Sequence, residues 1–251
     1  FYGTGIPACI IVLDKENAAA RDGIFMIDAS KGFIKDGAKN RLREQDIQKA
    51  MDVFHECQEI PGYSRMVPLA EIDANDYNLN LPRYIDSSND EVRQNLFAHL
   101  NGGIPDDDLR ELDDYWQVFP QLRTQLFSPS VHVGYSVLNV PSGNIRSLIL
   151  ESPEFQQFRT AVENRLSRWM QQTRELMMGL HVGVHAKDFI RTLGDSLREL
   201  FHDMHLVDEY DVYQRLMDYW EEPMRDDVYL IAAEGWIFKT SNLTKTDKKG
   251  K

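Results

Sequence analysis

The first eight residues, Phe1-Tyr2-Gly3-Thr4-Gly5-Ile6-Pro7-Ala8, hold the spacing Gly3-x-Gly5-x-x-Ala8. Glycines so placed let a backbone approach the phosphates of a nucleotide-like cofactor, and Asp28, closing the next apolar run, stands where an acid could meet a ribose hydroxyl. That chemistry requires the loop to open a helix, so that amides face the ligand. Here Pro7 and the β-branched run Ala8-Cys9-Ile10-Ile11-Val12-Leu13 follow, and no crossover helix fits between Leu13 and Gly23. The loop therefore reads as a turn feeding a buried strand, and no cofactor-binding residue is assigned.

Four histidines form a second candidate. His181 and His185 are four apart, and His202 and His205 three apart, spacings that suit zinc on a helix face. Val182 follows His181 where a metalloprotease would carry its glutamate, and Gly179 and Gly183 weaken the helix. Structural or surface histidines are the favoured reading, and no metal ligand is assigned. The stretch Asp208-Glu209-Tyr210-Asp211-Val212-Tyr213, with Tyr219-Trp220-Glu221-Glu222, reads as core or partner-facing surface before it reads as a ligand site. No serine or cysteine sits in a nucleophile elbow, and there is no P-loop.

The elements that must position these residues are mostly helices. The 251 residues are 42% apolar and 10% aromatic, enough for a substantial core, and the formal charge is -12. Asp106, Asp107, Asp108, Glu111, Asp113 and Asp114 cluster around a single base, Arg110, and such a stretch repels a duplex. Any grip on nucleic acid must come mainly from elsewhere. Two cysteines without framework spacing fit a reducing, cytoplasmic setting. No apolar run approaches the roughly 20 residues that span a bilayer, so no membrane partner is expected.

Ala8–Leu13 and Gly23–Asp28 read as two strands of an antiparallel hairpin. Leu42, Ile47, Met51, Phe54 and Cys57 mark the face of a helix over 42–58, closed by Pro61-Gly62. Residues 71–84, where Leu79 and Leu81 alternate with asparagines, suggest a short extended segment, and 87–90 a boundary. Pro105 opens a helix that stops near Pro120, and 131–149 fits neither pattern cleanly. Ser152-Pro153-Glu154 announces a helix of about seven turns. Further helices follow through Phe189–Met204 and Val212–Trp220, the last closed by Pro223, and Val228–Ala232 suggests a short strand.

Three stretches resemble the modification (M) subunits of type I restriction-modification systems, which are adenine-specific DNA methyltransferases. They are Phe1–Leu13; Asn75-Asp76-Tyr77-Asn78-Leu79-Asn80-Leu81-Pro82-Arg83-Tyr84; and Tyr210-Asp211-Val212-Tyr213 through Asp218-Tyr219-Trp220, Met224-x-Asp226-Asp227-x-Tyr229 and Gly235-Trp236. The resemblance implies a C-terminal part of a longer subunit whose parent moves a methyl group from S-adenosylmethionine to adenine. It implies partnership with the specificity and restriction subunits of the same system, and DNA reached through that complex. The family's catalytic Asp/Asn-Pro-Pro-Phe/Tyr tetrapeptide cannot lie here, because no two of the ten prolines adjoin. No catalytic residue and no bound cofactor are therefore expected in this chain. Phe1 or Tyr2 lies where the family places an aromatic that stacks on the flipped target base.

The expected fold is mainly α with a small β portion: a β-hairpin remnant of a Rossmann-like methyltransferase sheet, then a helical C-terminal domain. The expected domains are 1–40, the late edge of the methyltransferase domain; 41–90, a linking helix and extended loop; 91–238, a helical assembly domain; and 239–251, a lysine-rich flexible tail. Two rival readings are a stand-alone helical interaction module and a metalloenzyme built on the histidines.

Overall fold

A computed structural model describes residues 8–37, 39–87 and 95–237. The chain is mainly helical with small sheets and divides into two compact units, residues 1–102 and 103–251.

The first unit runs β1 (Gly23–Ile27), β2 (Ile34–Asp36), β3 (Lys39–Arg41), α1 (Glu44–Glu56), β4 (Ser64–Pro68), α2 (Leu69–Ala74), a 3-10 turn at Leu81–Arg83 and α3 (Leu96–Asn101). β1 pairs antiparallel with β4, placing Ile24 opposite Val67 and Met26 opposite Arg65. β2 and β3 form a separate hairpin, turning at Gly37 in the left-handed region (φ 61°). Because side chains alternate along a strand, Met26 and Val67 share one face of the β1–β4 ribbon. That face is sealed by Ile72, Tyr84 and Ile85, all buried. α1 starts where Asp46 accepts hydrogen bonds from the Arg43 amide (2.9 Å) and guanidinium (2.8 Å), and ends at Cys57 in a left-handed conformation.

This unit corrects several expectations. Ala8–Leu13 forms no strand, and the hairpin with Gly23–Asp28 does not exist: β1 takes β4, 41 residues downstream, as its partner. The run is apolar and β-branched, but propensity alone does not supply an edge to pair with; Ile10 is 93% and Leu13 90% exposed. The loop after it closes on itself, with Arg21 donating to the Asp14 carbonyl (3.0 Å) and pairing with its carboxylate. Residues 71–84 form no strand: α2 and the 3-10 turn take their two ends, and the stretch between them, though Asn80 is locally extended, pairs with no strand. In α1 the predicted apolar face is largely open: Ile47, Met51 and Phe54 are partly exposed while Val53 is fully buried.

The second unit runs β5 (Ile104–Pro105), α4 (Asp106–Arg110), α5 (Asp113–Val118), α6 (Pro120–Leu126), β6 (Phe127–Pro129), β7 (Tyr135–Leu138), a 3-10 turn at Ser142–Asn144, α7 (Ile145–Glu151), α8 (Pro153–Met178), α9 (Ala186–Phe201), α10 (Glu209–Tyr219), a π turn at Trp220–Met224 and α11 (Arg225–Glu234). β7 lies between β5 and β6, antiparallel to both. α8 begins as its sequence dictates: Ser152 Oγ accepts from the Phe155 amide at 3.2 Å, and Pro153 fills the first helical position. At about 1.5 Å per residue it is on the order of 40 Å long. Its Trp169 and Thr173 face a core built on Phe189, Leu193, Leu197, Phe201, Leu216, Met217, Trp220, Val228 and Ile231. Nearer its start, Phe155 and Phe158 pack on Phe119, Leu122 and Leu126.

Here too the outcome differs from expectation at three places. The helix expected between Pro105 and Pro120 is two short ones, and Pro120 starts a third. Pro223 does not close α10. The backbone widens to a π turn, with the Arg225 amide bonded to the Trp220 carbonyl five residues back, and helix resumes. Val228–Ala232 is consequently part of α11 and not a strand. No described helix is long and apolar enough to cross a membrane.

Candidate functional site

Phe1 and Tyr2, with the glycine turn that follows them, lie outside the described residues. The candidate that the structure does describe is the motif Asn75–Tyr84. β4 and α2 carry its brace. Arg65, on β4, makes a two-pronged ion pair with Glu71 of α2 (2.9 and 2.8 Å), and its Nη1 also donates to the Tyr84 carbonyl at 3.3 Å. Glu71 holds the Arg65 guanidinium above its ordinary pKa, so the cation persists at every accessible pH. Tyr84 is buried, and its hydroxyl returns to the Asn78 carbonyl at 2.5 Å. Asn78 in turn accepts from the Asn80 amide (3.0 Å), and Asn75 Nδ2 donates to the Glu71 carbonyl (2.9 Å).

A fixed loop results, with its apolar half inside and its polar half in water. Leu81, Tyr84 and Ile85 face the core, whereas Tyr77, Asn78, Leu79, Asn80 and Arg83 are exposed. Asp76 and Tyr77 both adopt left-handed conformations (φ 53° and 56°), which is uncommon for residues other than glycine. Hydrogen bonding to Asp73 raises the Tyr77 hydroxyl pKa, keeping it protonated as a donor. Nothing in this loop is a nucleophile or a proton shuttle. What it offers is a preorganised surface.

Asp28, formally placed like a ribose-binding acid, does other work. It is only 6% exposed, and its carboxylate accepts from Ser87 Oγ (2.7 Å) and the Ser30 amide (3.0 Å). Burial pushes its pKa up, but the bonds from Ser87 and Ser30 and the Lys31 charge outweigh that and hold it below the usual carboxylate range. Its own amide donates to the Tyr63 carbonyl at 2.7 Å. Asp28 thus ties the end of β1 to the segment just past the motif. With its acceptors committed, it does not fit a ribose.

The histidines do not converge. His181 and His185 stand in the loop between α8 and α9, with His181 Nδ1 2.8 Å from the Gly179 carbonyl. His202 Nδ1 lies 2.8 Å from Glu209. His205 borders an open groove of about 440 Å³ with Asp114, Asp208 and Asp211. Among the described residues no three His, Cys, Asp or Glu side chains are placed to hold a metal ion. In the aromatic-acidic stretch, the Arg198 guanidinium stacks over Tyr210 (5.9 Å) and Tyr213 (5.7 Å), and Trp220 joins the core. The side chains that sequence reasoning missed are Arg65, Glu71 and Ser87. One signal existed: Arg65 interrupts the apolar alternation of Ser64-Arg65-Met66-Val67, and a charge there needs a partner.

Comparison with known proteins finds similarity over residues 1–92. The family model described as N-6 DNA Methylase matches residues 1–92. The type I restriction enzyme MjaVII methylase subunit of Methanocaldococcus jannaschii is 40% identical over 89 residues, covering 34% of this chain and 15% of that protein. The MpnII methylase subunit of Mycoplasma pneumoniae is 33% identical over 87 residues, covering 35% of this chain and 16% of the relative. The HindI methylase subunit of Haemophilus influenzae is 33% identical over 98 residues, covering 36% and 22%. The chain thus spans less than a quarter of the length of these relatives. No solved structure matches it. Both N-terminal stretches read as modification-subunit motifs fall within the matched segment, and residues 1–92 are similar to a segment of N-6 DNA methylases of the type I restriction-enzyme methylase-subunit kind.

Proposed function

We propose that this chain is the C-terminal part of a modification subunit whose parent transfers a methyl group from S-adenosylmethionine to the exocyclic amine of adenine in DNA. The observation that carries the reading is the family match over residues 1–92, which holds both the Phe1–Leu13 and the Asn75–Tyr84 motifs. The 251 residues contain no adjacent prolines, hence no catalytic tetrapeptide, and the chain alone is inactive. Asp28, formally placed like a ribose-binding acid, is committed to Ser87 and Ser30. S-adenosylmethionine belongs to the rest of the parent.

The role left to the chain is assembly with the specificity subunit, and through the complete system with the restriction subunit and DNA. The net charge of -12 favours contact with protein over phosphate. Phe1 or Tyr2 stacks on the extruded adenine in the parent. Tritiated methyl transfer to DNA tests the catalytic part. The parent with its specificity subunit incorporates label, the chain alone does not, and Phe1→Ala or Tyr2→Ala in the parent lowers both adenine affinity and turnover. Turnover by the chain alone, or a parent indifferent to both substitutions, contradicts the corresponding statement. A second reading, a self-standing helical interaction module, draws support from the separate core of residues 103–251. It predicts that this chain binds its partner with no methyltransferase in the same system.

A further inference from the structure

The sequence holds a single Asn-Gly step, Asn101-Gly102, and it falls at the end of α3. Such a step carries its own electrophile, the Asn101 Cγ, and its own nucleophile, the Gly102 backbone nitrogen, spaced to close a succinimide ring. Glycine has no side chain to obstruct that closure. Asn101 and Gly102 are both exposed, and a Cβ added at Gly102 would meet nothing within 4 Å, so water reaches the step freely.

Only the last turn of α3 keeps the two groups apart. The Gly102 amide donates to the Ala98 carbonyl (2.9 Å), and Asn101 Nδ2 donates to the Phe97 carbonyl (3.2 Å). Both bonds belong to a helix of six residues, a length that is marginal in water without packing. α3 has no buried residue, and Leu96 is 70% and Leu100 75% exposed. Its last turn therefore opens at little cost. Gly102 and Gly103, both left-handed (φ 75° and 95°), add freedom just beyond it. Once the turn opens, hydroxide takes the Gly102 amide proton and the nitrogen bonds to Asn101 Cγ. The Cγ–Nδ2 bond breaks, and Nδ2 takes a proton from water and leaves as ammonia. Water then opens the succinimide at one carbonyl or the other, giving aspartate or isoaspartate.

We propose that Asn101-Gly102 is a self-modifying site that, with water as co-reactant, converts the end of α3 to aspartate and isoaspartate in the folded protein. The new carboxylate meets the free carbonyls of the last turn, which disfavour a negative charge. The isoaspartyl form also lengthens the backbone by a methylene, so the Gly102 amide no longer returns to the Ala98 carbonyl. Both products loosen the point where the chain leaves the first unit. None of this depends on the assembly reading above. The test incubates the 251-residue chain without denaturant at neutral and mildly alkaline pH and maps its peptides by mass spectrometry, with electron-transfer fragmentation to tell isoaspartate from aspartate. Asn101 should gain about 1 Da. It should do so about tenfold or more faster than Asn78 and Asn80, exposed asparagines each followed by leucine, whose branched side chain hinders ring closure. The rate should rise with pH, because the attacking nitrogen must lose its proton, and Asn101→Gln should abolish the gain at that position. A mixture of isoaspartate and aspartate marks the succinimide route; aspartate alone means direct hydrolysis and overturns the proposal. Conversion seen only in urea, or no faster than at Asn78 and Asn80, overturns it as well.

Discussion

Replacing Asp28 should loosen the first unit from the end of β1 outward. The carboxylate accepts from Ser87 Oγ at 2.7 Å and from the Ser30 amide at 3.0 Å, in a setting where Asp28 is almost wholly buried. A hydrogen bond to a charged group contributes about 1.5–3 kcal/mol, and a buried donor left without an acceptor costs about 1–3 kcal/mol. Ser87 can turn its hydroxyl toward water; the Ser30 amide has less freedom. Asp28→Ala should therefore cost about 2–3 kcal/mol, Asp28→Asn and Ser87→Ala about 1 kcal/mol each. The two sites should couple in a double-mutant cycle. All four tryptophans lie beyond residue 102, so indole fluorescence does not report on this unit. Amide exchange on β1 and β4 does. The pH dependence has a definite sign. A folded pKa below the unfolded value of about 3.9 stabilises fully above that value, and the gain disappears as pH falls through the lower, folded pKa. The exchange difference between wild type and Asp28→Asn should thus shrink below about pH 4. A penalty for Asp28→Ala under about 0.5 kcal/mol, within the range of ordinary surface substitutions, would refute the reasoning, as would a gap unchanged from neutral pH to pH 3.

Two other perturbations probe the second unit. Glu154 accepts from the Gln121 and Leu122 amides (3.0 and 2.9 Å) at the start of α6, so Glu154→Ala should cost about 1–2 kcal/mol in a tryptophan-monitored urea melt, and no change in midpoint would contradict that role. At Gly194 an added Cβ would lie 2.6 Å from Tyr213 Cε2. Gly194→Ala should therefore destabilise by about 1–3 kcal/mol despite the better helix propensity of alanine, and a rise in thermal midpoint would show that the α9–α10 contact gives way freely.

The long helices were legible because their signals are local. Ser152-Pro153-Glu154 specifies a start, and Phe189, Leu193 and Leu197 recur at helical spacing on a face that is buried. The errors cluster where the deciding contact is distant in sequence. Ala8–Leu13 has a strand's composition, yet the partner of β1 is β4, whose serine and arginine mask its alternation. Pro223 reads as a terminator, because a sequence pattern cannot show that the backbone will widen to let it pass. At the candidate site the motif Asn75–Tyr84 was visible through its resemblance, but its brace was not. Arg65 and Glu71 are linked only by the fold of β4 against α2, and Ser87 meets Asp28 across 59 residues.

The uncovered run from Cys9 to Leu13 has a consequence for handling. A short hydrocarbon-rich, β-prone ribbon in water is a template for stacking onto copies of itself. Concentrated samples of this polypeptide will tend to cloud or gel through that ribbon while the helices behind it stay intact, and whatever molecule shields those five residues acts, in effect, as a chaperone for the rest.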